Sequence, residues 1–357
     1  MKPLSFVLVG SGFRAMFYVR IARKYPELFE LKYMLCRSEE KAQKMRQEQG
    51  IPATASIEAC EKVHPDCIVV AVGKDDIADV AEEWVVKGYP VVTETPAGSS
   101  VEKLKRLWNL KKNNGGRIVV CEQYHRYPFL AAGLKAVQEG VLGEPYAVYL
   151  SLAHDYHGAS LIRRMLGLKM ERVTMRGSRY EFPVTETDSR YGEITDGRVS
   201  MKVRDHVVME FESGKVAFYD FSGVQYRSFI RTRHLTVQGQ NGEWSDTMLY
   251  YVNEEHKPEA VHLLPYFNPR YRALETKELR ELCRPWKAEV LLEQAQDEYA
   301  VATMLYDLKS YLDGGEEVYP LAEALEDAYI WLLIQEAVQN PGKEIVSEQM
   351  PWHTNLL

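Results

Sequence analysis

Thiols are scarce and show no pairing pattern. The five cysteines, Cys36, Cys60, Cys67, Cys121 and Cys283, are odd in number and include no Cys-x-x-Cys pair. That excludes a disulfide framework and offers no zinc or redox motif, so they read as core thiols in a reducing compartment. A surplus of positive charge is also missing, since 44 Lys and Arg face 51 Asp and Glu for a formal net charge of −7. Nucleic acid is therefore not an expected partner, because a polyanion needs phosphate-neutralising cations in excess. No apolar run approaches the roughly 20 residues required to span a bilayer. The opening Met1-Lys2-Pro3 leads into a short strand pattern without the apolar region and small-residue cleavage site of a secretory leader. A cytoplasmic protein without membrane contact is the expectation. No internal repeat or low-complexity linker breaks the 357 residues, which suffice for two domains with separate cores.

What is present is a strong alternation. Phe6 to Val9, Leu31 to Cys36, Cys67 to Val72, Val91 to Thr93 and Ile118 to Cys121 are continuous apolar runs separated by helical patterns. Runs of that kind suit strands buried on both faces, and the alternation predicts an α/β fold with a doubly wound parallel sheet over residues 1–122. From about Tyr124 the pattern changes. One helix (Phe129 to Glu139) precedes longer strand-like stretches at Tyr146 to Ala153, His206 to Glu212, Lys215 to Phe221 and Phe229 to Gly239, with Ser213-Gly214 as a hairpin turn. Helical spacing returns from about Glu289 to Gln339. Residues 123–357 are thus expected to form an α+β domain with a mostly antiparallel open sheet.

The first strand runs into Gly10-Ser11-Gly12-Phe13-Arg14-Ala15. In this order of strand, glycine turn and helix start, Gly10 permits the tight turn, Gly12 admits a pyrophosphate close to the backbone, and Ala15 allows close helix packing. The helix N-terminus offers amides and a positive dipole to the phosphates. The second strand ends Cys36-Arg37-Ser38, where an NAD-specific fold usually presents an acidic residue to the ribose. Arg37 and Ser38 can embrace a 2′-phosphate instead, so the cofactor is expected to be NADP or NAD, with NADP favoured. Arg37 could equally stack on adenine as a solvated residue.

With these pieces in order, the chain resembles the Gfo/Idh/MocA oxidoreductases over essentially its whole length. The likeness rests on the Gly10–Ala15 turn, on Pro65 to Val72, and on Gly88 to Ala97, which is similar to the family's Glu-Lys-Pro segment. It continues through Leu134 to Pro145 and through His157 to Gly167, which fits a His-x-x-Asp-x-x-Arg-x-x-x-Gly pattern. The resemblance implies a Rossmann domain, a substrate domain whose open sheet covers a second subunit in a dimer or tetramer, and hydride exchange between a sugar-like alcohol and nicotinamide. It carries cofactor contacts to Val72, Gly73, Glu94, Thr95 and Gln123, and substrate contacts to Thr95, Arg126, His157 and Arg163. It places the proton-handling histidine at His157. Three positions depart from the pattern: Thr95 stands for the lysine, Ser160 for the aspartate, and Ile77 for a histidine. A hydroxyl positions an oxygen but supplies no cation beside a developing alkoxide.

Stand-ins are expected in His154-Asp155-Tyr156-His157, two imidazoles, a carboxylate and a phenol between a strand and a helix. Histidine titrates near neutrality, Asp155 can orient an imidazole, and Tyr156 is a reserve donor. His154-x-x-His157 lacks further convincing ligands, so no metal is expected. Arg227, Arg231 and Arg233 share one strand face if no bulge intervenes, which would suit an anionic sugar or a solvated face. Three functions compete. One is an NAD(P)-dependent oxidoreductase interconverting a secondary alcohol and a ketone on a sugar, cyclitol or glycoside. Another is a glycoside-cleaving enzyme using transient oxidation and elimination, and the third is a non-catalytic sensor of nucleotide and sugar.

Overall fold

The computed structural model describes residues 2–189, 191–263, 296–317 and 319–355. They pack as two compact units: Met1–Tyr127 with Ala295–Tyr329 and Pro351–Leu357, and Pro128–Gln294 with Ile330–Met350. The sequence placed the boundary after residue 122. The observed division falls at Tyr127/Pro128, and two C-terminal segments count with the first unit.

The first unit holds six strands, β1 (Leu4–Val9), β2 (Phe29–Leu35), β3 (Ala53–Thr54), β4 (Cys67–Val70), β5 (Val91–Thr93) and β6 (Ile118–Val120). Their order is β3-β2-β1-β4-β5-β6 and every pairing is parallel. β1, β4, β5 and β6 are buried along their whole lengths, which is why they read as unbroken apolar runs. The direction of winding reverses between β1 and β4, and the crevice beyond the carboxyl ends of those strands is where such sheets bind ligands. Connecting helices start on side-chain caps where the sequence supplies serine: Ser38 Oγ accepts from Lys41 N at 3.2 Å and Ser100 Oγ from Lys103 N at 3.3 Å. The helix Gln296–Leu312 packs on helix Ala15–Lys24 and on β1. Trp352 in the last described segment is fully buried and donates to the buried Glu326 at 2.8 Å.

The second unit is built on β7 (Pro145–Ser151), β8 (Val173–Thr185), β9 (Asp188–Ser189), β10 (Gly192–Glu193), β11 (Val199–Phe211), β12 (Val216–Phe221), β13 (His234–Gly239), β14 (Gly242–Ser245), β15 (Met248–Val252), β16 (Pro258–His262) and β17 (Ile345–Val346). Nine of them form one sheet in the order β16-β15-β14-β13-β7-β12-β11-β8-β17, antiparallel except for β7 against β12. One face buries Val148, Leu150, Val207, Met209, Leu235 and Val237, with helix Asp155–Leu166 packed on β7. The opposite face carries exposed Tyr149, Tyr180 and Phe182, and Tyr149 stacks on Phe218 at 4.6 Å.

The expected strand from Phe229 to Gly239 is shorter, beginning only at His234. Residues 223–226 form a 3-10 turn held by a capping box between Ser222 and Gln225, and the Gln225 amide also donates to Thr232 O at 2.7 Å. These bonds draw 222–232 into an irregular loop, so Arg227, Arg231 and Arg233 do not share a strand face as the even spacing suggested. Cys36, Cys60, Cys67 and Cys121 are free and buried, as core thiols should be, and Cys283 lies outside the described residues. Among the described residues no helix is long and apolar enough to cross a membrane, and no cluster of metal-ligating side chains is present.

Candidate active site

In the first unit, the turn after β1 is shaped by backbone contact. Gly10 has φ +115°, and a Cβ there would lie 2.3 Å from the Ala71 carbonyl oxygen just beyond β4. Only glycine fits, and its absence of side chain brings the turn against the neighbouring strand end. At Gly12 a Cβ would meet nothing within 4 Å, so the backbone there is open to a ligand. The helix Ala15–Lys24 begins without a side-chain cap, and although Met16 N and Phe17 N donate to Phe13 O and Arg14 O, its positive end faces the turn as an anion site would need. A cavity of about 1070 Å³ extends over this turn, lined among others by Gly10, Gly12, Arg14, Arg37, Val72 and Gly73. Ser11 and Phe13 also line it, whereas Ser38, Glu94, Thr95 and Gln123 do not. These residues fit a dinucleotide: a glycine-enforced turn, a helix start without a side-chain cap, and space on the scale of an extended ligand.

At the far end of the cavity Arg37 is largely exposed and reaches Asp76 Oδ2 at 3.2 Å. Ser38, grouped with Arg37 in the sequence reading, has its hydroxyl engaged as the cap of helix Glu39–Gln49. Asp76 and Lys41 join the wall here and were not singled out from sequence.

Beyond β5, Glu94 is buried and accepts from Arg14 Nε at 2.8 Å and Tyr18 Oη at 2.5 Å. Thr95 follows it, half-buried. Arg14 also reaches Asp297 Oδ2 at 3.5 Å, and Asp297 takes hydrogen bonds from Gln123 (3.2 Å) and the Tyr127 hydroxyl. Burial opposes the charge on Arg14, yet Glu94, Tyr18 and Asp297 outweigh it and hold the guanidinium well above its usual range. Arg14 and Glu94 therefore form an internal ion pair at the cavity wall, with Arg14 as its lining member. Tyr18 and Asp297 were not singled out from sequence, because nothing local marks a tyrosine on a helix, or an acid 170 or more residues from its partners, as members of one cluster. Arg126 pairs with Asp307 at 2.5 Å inside the same unit, and its Nε is buried without a hydrogen-bond partner among the described residues.

In the second unit the polar segment sits at the start of helix Asp155–Leu166, just after β7. Asp155 has φ +44°, an uncommon conformation that aspartate tolerates better than most residues. Two tyrosines hold this bend. Asp155 N donates to Tyr219 Oη at 3.0 Å and His154 N to Tyr226 Oη at 2.9 Å, while Gln335 Nε2 donates to Asp155 Oδ1 at 2.9 Å. Gly158 makes room for one of them, since a Cβ there would lie 2.6 Å from the Tyr219 ring. Burial and then the nearby Asp155 carboxylate push the Tyr219 phenol well up. His157, Tyr156 and Arg163 are buried, and His154 is exposed. The two imidazoles meet edge-to-face with centroids 5.0 Å apart, and Tyr156 stands edge-on to His157 at 5.9 Å. His154, Asp155, Tyr156 and His157 are thus one cluster. Ser160, at the position of the missing aspartate, is fully buried with no hydrogen bond to its hydroxyl among the described residues.

Residues 4–122 match the model of an oxidoreductase family with an NAD-binding Rossmann fold, Gfo/Idh/MocA. Whole-chain likeness lies in solved structures. An NAD-binding oxidoreductase from Klebsiella pneumoniae superposes with a TM-score of 0.71 at 14% identity, covering 98% of this chain and 100% of that one. An oxidoreductase from Agrobacterium radiobacter, solved with NAD+, L-tartaric acid and magnesium, gives 0.68 at 14% identity, with 96% and 98% covered. The WlbA dehydrogenase from Bordetella pertussis, in complex with NADH and UDP-GlcNAcA, gives 0.66 at 16% identity, with 98% and 99% covered. These likenesses concern the fold. None of the curated proteins searched by sequence matches the chain.

Proposed function

We propose that the protein is an NAD(P)-dependent oxidoreductase that interconverts a secondary alcohol and a ketone on a sugar, cyclitol or glycoside. The observation that carries this reading is the glycine-built cavity of the first unit, whose turn admits no side chain at Gly10 and bears none over the cavity at Gly12. A bound nicotinamide dinucleotide would accept or return the hydride. The chain's own part is orientation and proton handling. His157 takes the hydroxyl proton during oxidation and returns it during reduction, a role that suits an imidazole at neutral pH. Asp155, held by Gln335, and Tyr156 keep the cluster in place. Thr95 serves as a hydrogen-bonding neighbour of substrate, and Arg126 and Arg163 as contacts to its polar groups. NADP is the favoured cofactor, because the cavity's far end offers Arg37 and Lys41 and carries no acid on the residue directly after β2.

The exposed aromatic face of the second sheet, with Tyr149, Tyr180 and Phe182, supports assembly into a homo-oligomer, a dimer or tetramer, since apolar area of that kind on a sheet face favours a partner surface. Light scattering on the purified protein tests it, and a monodisperse monomer at micromolar concentration refutes it.

The test of function is a titration with NADH and NADPH followed by nicotinamide fluorescence, paired with turnover of polyols by the parent protein and by His157→Ala. Cofactor binding that survives the substitution while turnover disappears supports the oxidoreductase. Nicotinamide that co-purifies and does not exchange favours the self-recycling glycosidase. A parent protein that binds cofactor and turns over nothing favours the sensor, the reading that the loss of lysine at 95 suggests.

A further inference from the structure

The loop 222–232 takes Arg227 off the strand face its spacing suggested and gives it a different place. Within the second unit Arg227 lines a cavity of about 580 Å³, whose walls also carry Asp188, Ile194, Met201, Val203 and Val224. That volume is on the scale of a small-molecule site. The apolar floor exists because one sheet face continues past its cover. By the two-residue period of a strand, Met201 and Val203 share a face of β11 with Val207 and Met209. Val207 and Met209 are fully buried, whereas Met201 and Val203 are 58% and 41% exposed. Most charges around the cavity are settled among themselves. Glu186 accepts from Lys202 Nζ at 2.5 Å and Ser200 Oγ at 2.7 Å, and pairs with Arg198 at 3.0 Å. Two charges of opposite sign remain. Asp188 and Arg227 are both half-buried, and among the described residues neither side chain has a hydrogen bond or ion pair, even with the other. Each has lost part of its hydration without gaining a counter-ion. Opposite charges that line one cavity and stay apart complement a molecule that carries both signs on a short frame.

We propose that this cavity binds an α-amino acid with an aliphatic side chain, its carboxylate on Arg227, its ammonium on Asp188 and its hydrocarbon on Ile194, Met201, Val203 and Val224. The planar guanidinium matches a carboxylate with two parallel donors. The four aliphatic walls remove a branched side chain from water, which adds to the affinity without directional demands. A sugar acid, the ligand that the arginine spacing suggested, suits the cavity less. Its anion leaves Asp188 facing negative charge, and much of its hydroxyl-rich surface meets aliphatic carbon. Gly223 and Val224 of the wall belong to the 3-10 turn that ends in Tyr226, whose hydroxyl receives His154 N at 2.9 Å. The cavity and the histidine segment are thus built on the same turn. The site draws on neither the cofactor nor the oxidoreductase reading.

The experiment is an amide-shift titration of the 15N-labelled full chain near neutral pH, without cofactor, using four probes. L-leucine carries both charges, 4-methylpentanoate lacks the ammonium, 3-methylbutylamine lacks the carboxylate, and glucuronate is the sugar acid. The expected result is saturation by leucine below about 1 mM, with each single-charge analogue at least about tenfold weaker. Arg227→Ala should weaken leucine at least about tenfold and leave 3-methylbutylamine within about twofold. Asp188→Asn should do the same to leucine and spare 4-methylpentanoate. Arg231→Ala removes an exposed cation outside the cavity wall and should leave leucine unchanged. Matching melting curves establish that the variants are folded, and the spared analogue separates a lost charge from a distorted cavity. No saturable shift with leucine overturns the proposal, as do glucuronate binding tighter than leucine, an equal loss in Arg231→Ala, or losses in Arg227→Ala and Asp188→Asn that do not follow the matching charge. Failure of the oxidoreductase reading would appear in the NADH and NADPH titration and not in these shifts.

Discussion

The sharpest test of cofactor choice is Arg37→Ala. Among the described residues Arg37 pairs with Asp76 alone, at 3.2 Å, with side-chain exposures of 87% and 59%. A pair so exposed contributes about 0–1 kcal/mol, because solvent screens the attraction and two side chains must be ordered to make it. A 2′-phosphate brings close to two negative charges and several acceptor oxygens to the same guanidinium, and charge-assisted hydrogen bonds contribute about 1.5–3 kcal/mol each. Taking the lower value for a site this open, the phosphate displaces Asp76 and gains on the order of 1.4 kcal/mol, which is a factor of about ten. Arg37→Ala should therefore weaken NADPH about tenfold and leave NADH within about twofold. Asp76→Asn should act in the opposite direction, tightening NADPH by about two- to fivefold through removal of a competing and repelling carboxylate. Fluorescence titrations at two ionic strengths provide the readout, and added salt should reduce the NADPH preference of the parent. Equal losses for both cofactors in Arg37→Ala, or NADH binding tighter than NADPH in the parent, would refute the reasoning and turn Asp76 into the discriminating residue.

Other consequences follow from the same structure. Gly10→Ala places a methyl 2.3 Å from the Ala71 oxygen at φ +115°, so nicotinamide fluorescence enhancement should be lost for both dinucleotides; retention of binding would show that the cavity is not the cofactor site. Trp352→Ala removes a fully buried indole and the Glu326 hydrogen bond, and urea unfolding should reveal a loss of about 3–5 kcal/mol. Burial pushes the Cys60 thiol up to about 11 and raises Cys67, Cys121, Tyr18 and Tyr219 as well. Groups raised on folding stabilise fully below their unfolded values, so melting temperature should be flat up to pH about 9 and fall beyond it as the unfolded chain ionises first; a melting temperature that rises between pH 9 and 11 would contradict this.

Legibility in the sequence followed the geometry of burial. β1, β4, β5 and β6 declared themselves because both faces are covered, and a short unbroken apolar run between turn signals suits a doubly buried strand. β8 did not. Much of Val173–Thr185 is exposed, so its apolar residues alternate with charge, and it contains Pro183, which argues against a strand. The structure tolerates that proline because β17 pairs only with residues 174 and 175, leaving β8 an edge farther along. The histidine segment was visible because its four polar residues are contiguous. Tyr219, Tyr226 and Gln335, which orient it, are 64 to 180 residues away from their partners, and a single sequence holds no signal linking them. The Arg227, Arg231 and Arg233 spacing misled for a related reason: side-chain bonds from Gln225 override a weak strand pattern.

The dinucleotide-binding unit is discontinuous in the chain. Its sheet is encoded by residue 120, yet Asp297, which pairs with Arg14, arrives after every strand of the second sheet but β17, and Trp352, which fills a fully buried site, arrives after β17 as well. During synthesis the ribosome would release a sheet and cradle long before the segments that finish them, with the apolar surface meant for helix Gln296–Leu312 left open. Cofactor added to translating or C-terminally shortened chains should therefore meet a cavity whose Arg14 lacks its Asp297 partner and whose first helix lacks its packing neighbour, and the ability to retain nucleotide becomes a report on whether the last segments have docked.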